Sequence, residues 1–479
     1  MSIAGGIRVV GIDGAPVALD AQRLDDLRSR LAGPLLLPGD ADWDDAVLIW
    51  NADIARQPAI VVQPVSARDV AHAVAFARDE RLLMSVKGGG HNIAGTAIAD
   101  GGLTLDLSRM RNIEIDATAR LAHVGGGCRL ADVDAATQHH GLATPLGFIS
   151  QVGVGGLTLG GGLGYLTRRF GWTVDNLERA QMVTADGQIR DVDGRQNADL
   201  LWAIRGGGGN FGVVTRFTLR LHRIGPTVVG GLIAWPFERA DEILRAYRAL
   251  TSQAPRELAV WLVLMHAPSA PFVPSTWAGR KVCAMAICYS GERATADRAL
   301  TPIRALGEPV FDLVGPQPYA QVQSYLDDSE PKGNHYYWKT EFLGELDDEL
   351  LSRARALYAA CPSPGAQLGL LHLAGALNDR AADDGAVGNR GARYAIGANG
   401  MWEPGEPGAD VGRAWVRSTW EQLRPFSTGG NYVNFQTADD DAARIAAAYG
   451  ANLRRLREIK ATHDPDNLFR MNRNITWTP

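Results

Sequence analysis

From Pro145 to Tyr165 the chain reads Pro-Leu-Gly-Phe-Ile-Ser-Gln-Val-Gly-Val-Gly-Gly-Leu-Thr-Leu-Gly-Gly-Gly-Leu-Gly-Tyr, and no other stretch limits the possible folds so strongly. Gly153, Gly155, Gly156, Gly160, Gly161, Gly162 and Gly164 crowd a segment that neither a helix nor a strand interior accommodates well. A flexible linker would be as rich in glycine but polar. Here the intervening residues are Val152, Val154, Leu157, Leu159 and Leu163. The segment is therefore expected to be a loop system wrapped closely around something. Glycine makes up 55 of the 479 residues and concentrates between positions 88 and 212, as expected where backbone must approach a ligand.

Two further segments repeat the device. Ser85-Val86-Lys87-Gly88-Gly89-Gly90-His91-Asn92 ends an apolar run in three glycines and a histidine. Residues without Cβ atoms allow positive φ and let backbone N–H groups converge, which is how a loop cradles a pyrophosphate. His91 then emerges beside the rest of that ligand. Leu200 to Gly212 contains Gly207, Gly209 and Gly212 in a GxGxxG pattern, but Val213 to Leu219 after it alternates as a β-branched strand. A dinucleotide fingerprint must open a helix, so a Rossmann site is excluded here.

The surrounding chain has a coarse order. Ile60 to Val62 reads as a strand, Ser66 as the cap of a helix reaching Asp79, and Leu82 to Val86 as the next strand, so the Lys87–His91 loop closes a β-α-β unit. Leu103 to Leu107 and Leu121 to Val124 read as strands, and Leu130 to His140 as a helix stopped by Gly141. The segment up to Gly39 shows only a helical patch at Ala21 to Leu31. Between about Gly225 and Arg424, strands at Thr227–Ala234, Glu257–Met265 and Lys281–Tyr289 alternate with helices at Arg239–Leu250, Arg293–Leu306 and Asp348–Ala360. That pattern predicts a mainly antiparallel sheet covered on one face. Tyr394 to Trp402 is a further strand, with Asn399 and Trp402 as candidates for a cavity wall. Ile445, Tyr449, Leu453, Leu456 and Ile459 predict one helix ended by Asp464-Pro465.

Net charge is −5 and basic residues do not cluster, which argues against nucleic acid and anionic membrane surfaces. No apolar run reaches membrane-spanning length and the first residues lack a secretory pattern, so a cytoplasmic location is expected. The four cysteines, Cys128, Cys283, Cys288 and Cys361, form no CxxC pair and read as buried small hydrophobes; no metal site is expected.

Together, Lys87–His91, the Gly153–Tyr165 run, Leu201–Gly212, Tyr432-Val433-Asn434-Phe435 and Asp464–Arg470 resemble the berberine-bridge-enzyme-like FAD-linked oxidases of the vanillyl-alcohol oxidase/p-cresol methylhydroxylase superfamily. Within that family the bacterial nicotine-oxidase-like members are closer in character than the plant enzymes. The resemblance implies an α+β fold in which a bipartite FAD-binding domain, residues 1–224 and 425–479, flanks an inserted antiparallel-sheet substrate domain, residues 225–424. It implies FAD held by Lys87, Gly88, Gly89, Gly90, His91, Asn92, Val152, Gly153, Gly155, Gly156, Thr158, Gly162, Gly212, Val213, Tyr432 and Asn434. His91 occupies the position where the family bonds the flavin 8α-methyl group. Many members add a second bond from a cysteine at the position filled here by Ile149, so attachment through His91 alone is expected. Val152 stands where a valine leaves space for oxygen beside the ring, and Leu157 where some relatives carry a histidine.

The family's chemistry is removal of a hydride from a C–H bond, with electrons passed to O2 to give H2O2. An alcohol substrate needs a base as its hydroxyl proton leaves. The tyrosine that often serves is replaced here by Phe435. Candidate groups on the aromatic strand are His335, Tyr336, Tyr337, Lys339 and Glu341, with Tyr337, His335, Lys339 and Asn434 forming the expected catalytic set. Alternatively the substrate is an amine, whose own lone pair drives hydride departure, and Asn434 orients it. The expected substrate is thus a small or medium secondary metabolite. An oxidative cyclase, a sugar or polyketide alcohol oxidase, and a flavoprotein without turnover are the other readings, and the oligomeric state is open.

Overall fold

The structure is a computed structural model that describes residues 6–477. Helix Ala67–Asp79 starts where the Ser66 side chain accepts from the Asp69 N–H, and it buries Val70, Ala73, Val74 and Ala77. It links strand Ile60–Val62 to strand Met84–Lys87. Leu103–Asp106 lies between those two strands and parallel to both, and Leu35–Leu36 closes the other edge of the four-stranded sheet. Ile60, Val61 and Val62 are all buried, as a parallel strand covered on both faces requires.

A second sheet has five antiparallel strands in the order Ile189–Val192, Leu177–Val183, Val213–Arg220, Leu121–Gly125 and Ile113–Asp116. Gly212, at φ +149°, opens the strand Val213–Arg220 directly, so the GxGxxG pattern leads into a strand and not a helix.

All eight strands of the largest sheet lie between Thr227 and Trp402, and every pairing in it is antiparallel. Helices Ala240–Gln253, Arg293–Arg304, Asp348–Ala359 and Ala409–Leu423 cover one face through a core that includes Tyr247, Leu300, Tyr358 and Val416. The opposite face presents Trp261, Ala286, Phe342 and Ala395 to Leu163, Tyr165, Trp172 and Tyr432. That contact sets the glycine-rich segment and the Tyr432 turn against the sheet.

Three expectations are corrected. The glycine run is not all loop, because Val154–Leu159 forms a short helix. A Cβ at Gly155 would stand 3.1 Å from the Gly126 carbonyl oxygen, so tertiary approach offsets the poor local propensity. The tail is two helices, Ala442–Tyr449 and Leu453–His463, broken where Gly450 takes φ +55°. Ile7–Val10 and Pro16–Leu19 also pair as a hairpin in the segment read as irregular.

Among the described residues, no helix is long and apolar enough to cross a membrane, and no cluster of metal-ligating side chains occurs. The four cysteines are unpaired and buried.

Candidate active site

The principal cavity has about 1670 Å³ of empty space, including its open mouth, and lies between the two smaller sheets and the large one. Gly88 to Asn92, Val152, Gly153, Gly155, Gly156, Gly212, Val213, Tyr432 and Asn434 all line it. Distant segments meet here because backbone approaches backbone. A Cβ on Gly89 would lie 2.3 Å from the Gly153 nitrogen, and one on Gly153 would lie 2.2 Å from the Gly89 nitrogen. Gly90 adds a positive φ of +71°, which turns the chain so that His91 follows into the cavity wall.

His91 stacks on Trp50, with ring centroids 5.4 Å apart. Burial, with the positive charges of Arg129 and Lys332, pulls its pKa down to about 4. The imidazole is therefore neutral at physiological pH, with a ring nitrogen free to act as a nucleophile. Trp50 is fixed from both sides: its N–H donates to the Gly90 carbonyl at 3.0 Å, and its indole N–H donates to the Glu330 carbonyl at 2.9 Å.

Asn434 is held by donating its side-chain amide to the Leu157 carbonyl at 3.1 Å and to the Tyr432 hydroxyl at 2.9 Å. Gly160 is glycine because a Cβ there would stand 2.0 Å from Asn434 Oδ1. The Tyr432 hydroxyl also accepts from the Gly162 N–H at 2.9 Å, and burial pushes its pKa up to about 12. Phe435 packs edge-on against Trp338 and Tyr432, filling the cavity side of the turn with a ring that carries no hydroxyl.

Six expected site residues lie elsewhere. Lys87 turns away from the cavity to the Ala46 carbonyl and to Asp106, 3.5 Å away. Thr158 is buried outside the cavity wall, and Gly162 acts through its amide on Tyr432. His335, Tyr337 and Lys339 share one parity on strand His335–Leu343, the face turned to helix Ala409–Leu423, whereas Trp338 has the other parity and lines the cavity. Lys339 pairs with Asp439 and Asp440, both at 2.8 Å. Tyr337 donates to Asp439 at 2.7 Å, and His335 lies 3.6 Å from Asp53. Glu341 and Tyr336 are likewise engaged, by Arg444 and by the Pro331 carbonyl. Trp402 belongs to the helix-covered core. None of these side chains is free to serve as a base in the cavity.

Sequence reasoning also missed several lining residues: Trp50, Glu330, Tyr449, Met471, Asn472 and Arg473. Tyr449 Oη, Asn472 Oδ1 and Arg473 Nε are buried without a partner among the described residues. A cavity walled by glycine backbone and lined with unpartnered polar atoms suits a long ligand that has an apolar ring and a polar tail, as FAD has. The tail reaches this place through Lys460 and Asp464, both fully buried and 2.6 Å apart. Asp464 also accepts from the N–H groups of Leu468 and Phe469, and Lys460 donates to the carbonyls of Asn210 and Phe469. The tail is thus fastened to the Gly207–Gly212 segment.

Comparison with known proteins agrees with this geometry. Residues 58–193 match the model of an FAD binding domain, and residues 431–476 match one described as berberine and berberine like. An FAD-linked oxidoreductase of Dictyostelium discoideum is 32% identical over 431 residues, spanning 89% of this chain and 90% of the relative. The crystal structure of 6-hydroxy-D-nicotine oxidase from Arthrobacter nicotinovorans superposes with a TM-score of 0.82 at 26% identity, covering 93% of this chain and 98% of that one. Xylooligosaccharide oxidase from Myceliophthora thermophila, solved with xylobiose, shares the fold at 22% identity, with a TM-score of 0.83 over 95% of this chain and 100% of that one.

Proposed function

We propose, from the premise that this chain belongs to the berberine-bridge-enzyme-like family of FAD-linked oxidoreductases, that it oxidises an amine among small or medium secondary metabolites and passes the electrons to O2 as H2O2. The observation that carries the reading is the character of the cavity around Phe435. Aromatic rings line it, the position of the family's phenol has none, and the Tyr432 hydroxyl is already taken by Gly162 and Asn434. An amine needs no hydroxyl proton removed as its C–H hydride leaves. The bound FAD supplies a two-electron acceptor.

The chain's own residues divide the remaining work. Gly88, Gly89, Gly90, Gly153, Gly155 and Gly156 offer backbone to the cofactor's polar portion, and Tyr449, Asn472 and Arg473 offer unpartnered polar atoms. His91, neutral and unencumbered, is the expected single point of covalent attachment, since Ile149 lines the cavity without a sulfur. Val152 keeps space for oxygen. Asn434, pre-oriented by Leu157 and Tyr432, aligns the substrate or the ring. In this reading residues 1–224 and 425–479 form the FAD-binding domain and residues 225–424 the substrate domain. The four unpaired cysteines fit a cytoplasmic location.

The test uses acid-precipitated protein and a peroxide assay with a panel of cyclic amines. Yellow colour that stays with the wild-type pellet, and leaves it in His91→Ala, supports attachment through His91. Peroxide formed with amines in preference to the matching alcohols supports the reaction. Peroxide formed with alcohols alone would refute it.

A further inference from the structure

Glu330 is the single carboxylate on the wall of the principal cavity among the described residues. It comes from the segment between helix Tyr319–Val322 and strand His335–Leu343, and that segment is fastened on both sides of it. Upstream, Asp327 accepts from the N–H and the hydroxyl of Ser150, at 2.7 and 2.5 Å, on the glycine-rich segment. At Glu330 itself the carbonyl receives the Trp50 indole N–H at 2.9 Å. Downstream, the Pro331 carbonyl receives the Tyr336 hydroxyl, and the Gly333 N–H donates to the Trp50 carbonyl at 3.1 Å. The backbone is therefore held in place, while the carboxyl group has no hydrogen-bond or ion-pair partner among the described residues.

The residue is half-buried with its carboxyl oxygens open to the cavity, and an unpartnered carboxylate in such a low-dielectric, aromatic setting is poorly stabilised when ionised. Burial pushes its pKa up to about 8. The titratable groups nearest it are Tyr336 on the adjoining strand, Lys332 two residues on, and His91 with Arg129 across the glycine loop, and none of them pairs with it. Trp50, Phe148, Trp338 and Phe435 supply aromatic surface in the same cavity. One carboxylate among aromatic rings is the chemistry that recognises an organic ammonium ion, through a charge-assisted hydrogen bond and cation–π attraction.

We propose that Glu330 binds the ammonium form of the substrate amine and takes its proton. The proposal rests on the amine reading above and deepens it. In this step an N–H bond of the ammonium breaks and an O–H bond forms on Glu330, with no change of oxidation state. The nitrogen lone pair set free is the one that the subsequent oxidation requires. Entry of a cation also gives the carboxylate the partner that the chain does not provide.

The experiment compares holoenzymes of the wild type, Glu330→Gln and Glu330→Asp at about pH 8.5, where Glu330 is mostly ionised and a primary amine is still mostly cationic. Benzylamine and benzyl alcohol are titrated against the flavin absorbance. The wild type should bind the amine at least about tenfold more tightly than the alcohol, the Gln variant should bind the two alike, and the Asp variant should keep part of the preference. Without ligand, the wild-type flavin spectrum should shift with a midpoint near pH 8, and the Gln variant should lack that shift. Equal or absent binding of the two probes by the wild type, or a preference that survives in the Gln variant, overturns the proposal. Photoreducing the flavin and admitting air tests oxidase chemistry separately. Peroxide from that step with no amine preference would reject the role of Glu330 and leave the oxidase assignment standing.

Discussion

Replacing Lys460 by Met should unfasten the C-terminal tail from the cavity. Lys460 Nζ stands 2.6 Å from Asp464 Oδ2, 2.8 Å from the Asn210 carbonyl and 3.0 Å from the Phe469 carbonyl, and neither partner of the ion pair is exposed. Burial pulls the ammonium pKa down and Asp464 offsets part of that pull. Removing the lysine alone leaves a buried carboxylate uncompensated, at a cost of about 3–5 kcal/mol. Asp464→Leu should cost about as much, because it strands the ammonium and orphans the N–H groups of Leu468 and Phe469, each worth about 1–3 kcal/mol when left unsatisfied. The double variant removes both charges and should therefore be less destabilised than the sum of the singles by about 2–3 kcal/mol. Urea unfolding of the three variants measures this cycle, and FAD content after gel filtration reports the consequence at the cavity. Strict additivity, or a loss below about 1 kcal/mol in either single variant, would refute the reasoning.

Three other outcomes are expected. Gly89→Ala must push the His91 loop away from Val152–Gly153, since the added Cβ would lie 2.3 Å from a backbone nitrogen. It should lower stability by about 1–3 kcal/mol and reduce bound FAD, as read from the ratio of flavin to protein absorbance. Val152→Leu should slow reoxidation of the reduced flavin by O2 in stopped-flow mixing while leaving anaerobic reduction by substrate nearly unchanged. In ligand-free protein, Glu330 has a folded pKa of about 8, above its ordinary 4.5, so the native state keeps a proton that the unfolded chain releases. Stability should then fall by about 1–3 kcal/mol as pH rises from about 5 to 8, measured by chemical unfolding, and Glu330→Gln should remove that slope.

Local signals account for what the sequence made legible. Ser66 and the apolar spacing after it mark helix Ala67–Asp79, and the β-branched run after Gly212 marks a strand, because caps and periodicities act over a few residues. The cavity loops were visible because glycines at close approaches leave a compositional trace. Sidedness was not visible. His335, Tyr337 and Lys339 point away from the cavity because helix Ala409–Leu423 and the pair Asp439–Asp440 cover that face, and neither is a sequence neighbour of the strand. Alternation says which residues share a face and not what the face meets. Glu330 and Trp50 lie in irregular segments with no periodicity to mark them. The helix Val154–Leu159 escaped notice because Gly155 is required there by the closeness of Gly126, a contact made across the fold.

The cavity wall draws on positions as far apart as Trp50 and Arg473, so the order in which the polypeptide is made bears on when cofactor can be captured. The Gly88–Asn92 and Gly153–Gly156 loops can meet early, yet Tyr432–Phe435 and Met471–Arg473 are absent until synthesis has passed Arg473. Until then the emerging polypeptide exposes an apolar, half-built cleft, and contacts of such long sequence separation form slowly. Full enclosure of FAD therefore has to wait for Arg473, about 380 residues after the Gly88–Asn92 loop, and the supply of FAD at that moment should influence how much of the newly made protein reaches its finished state.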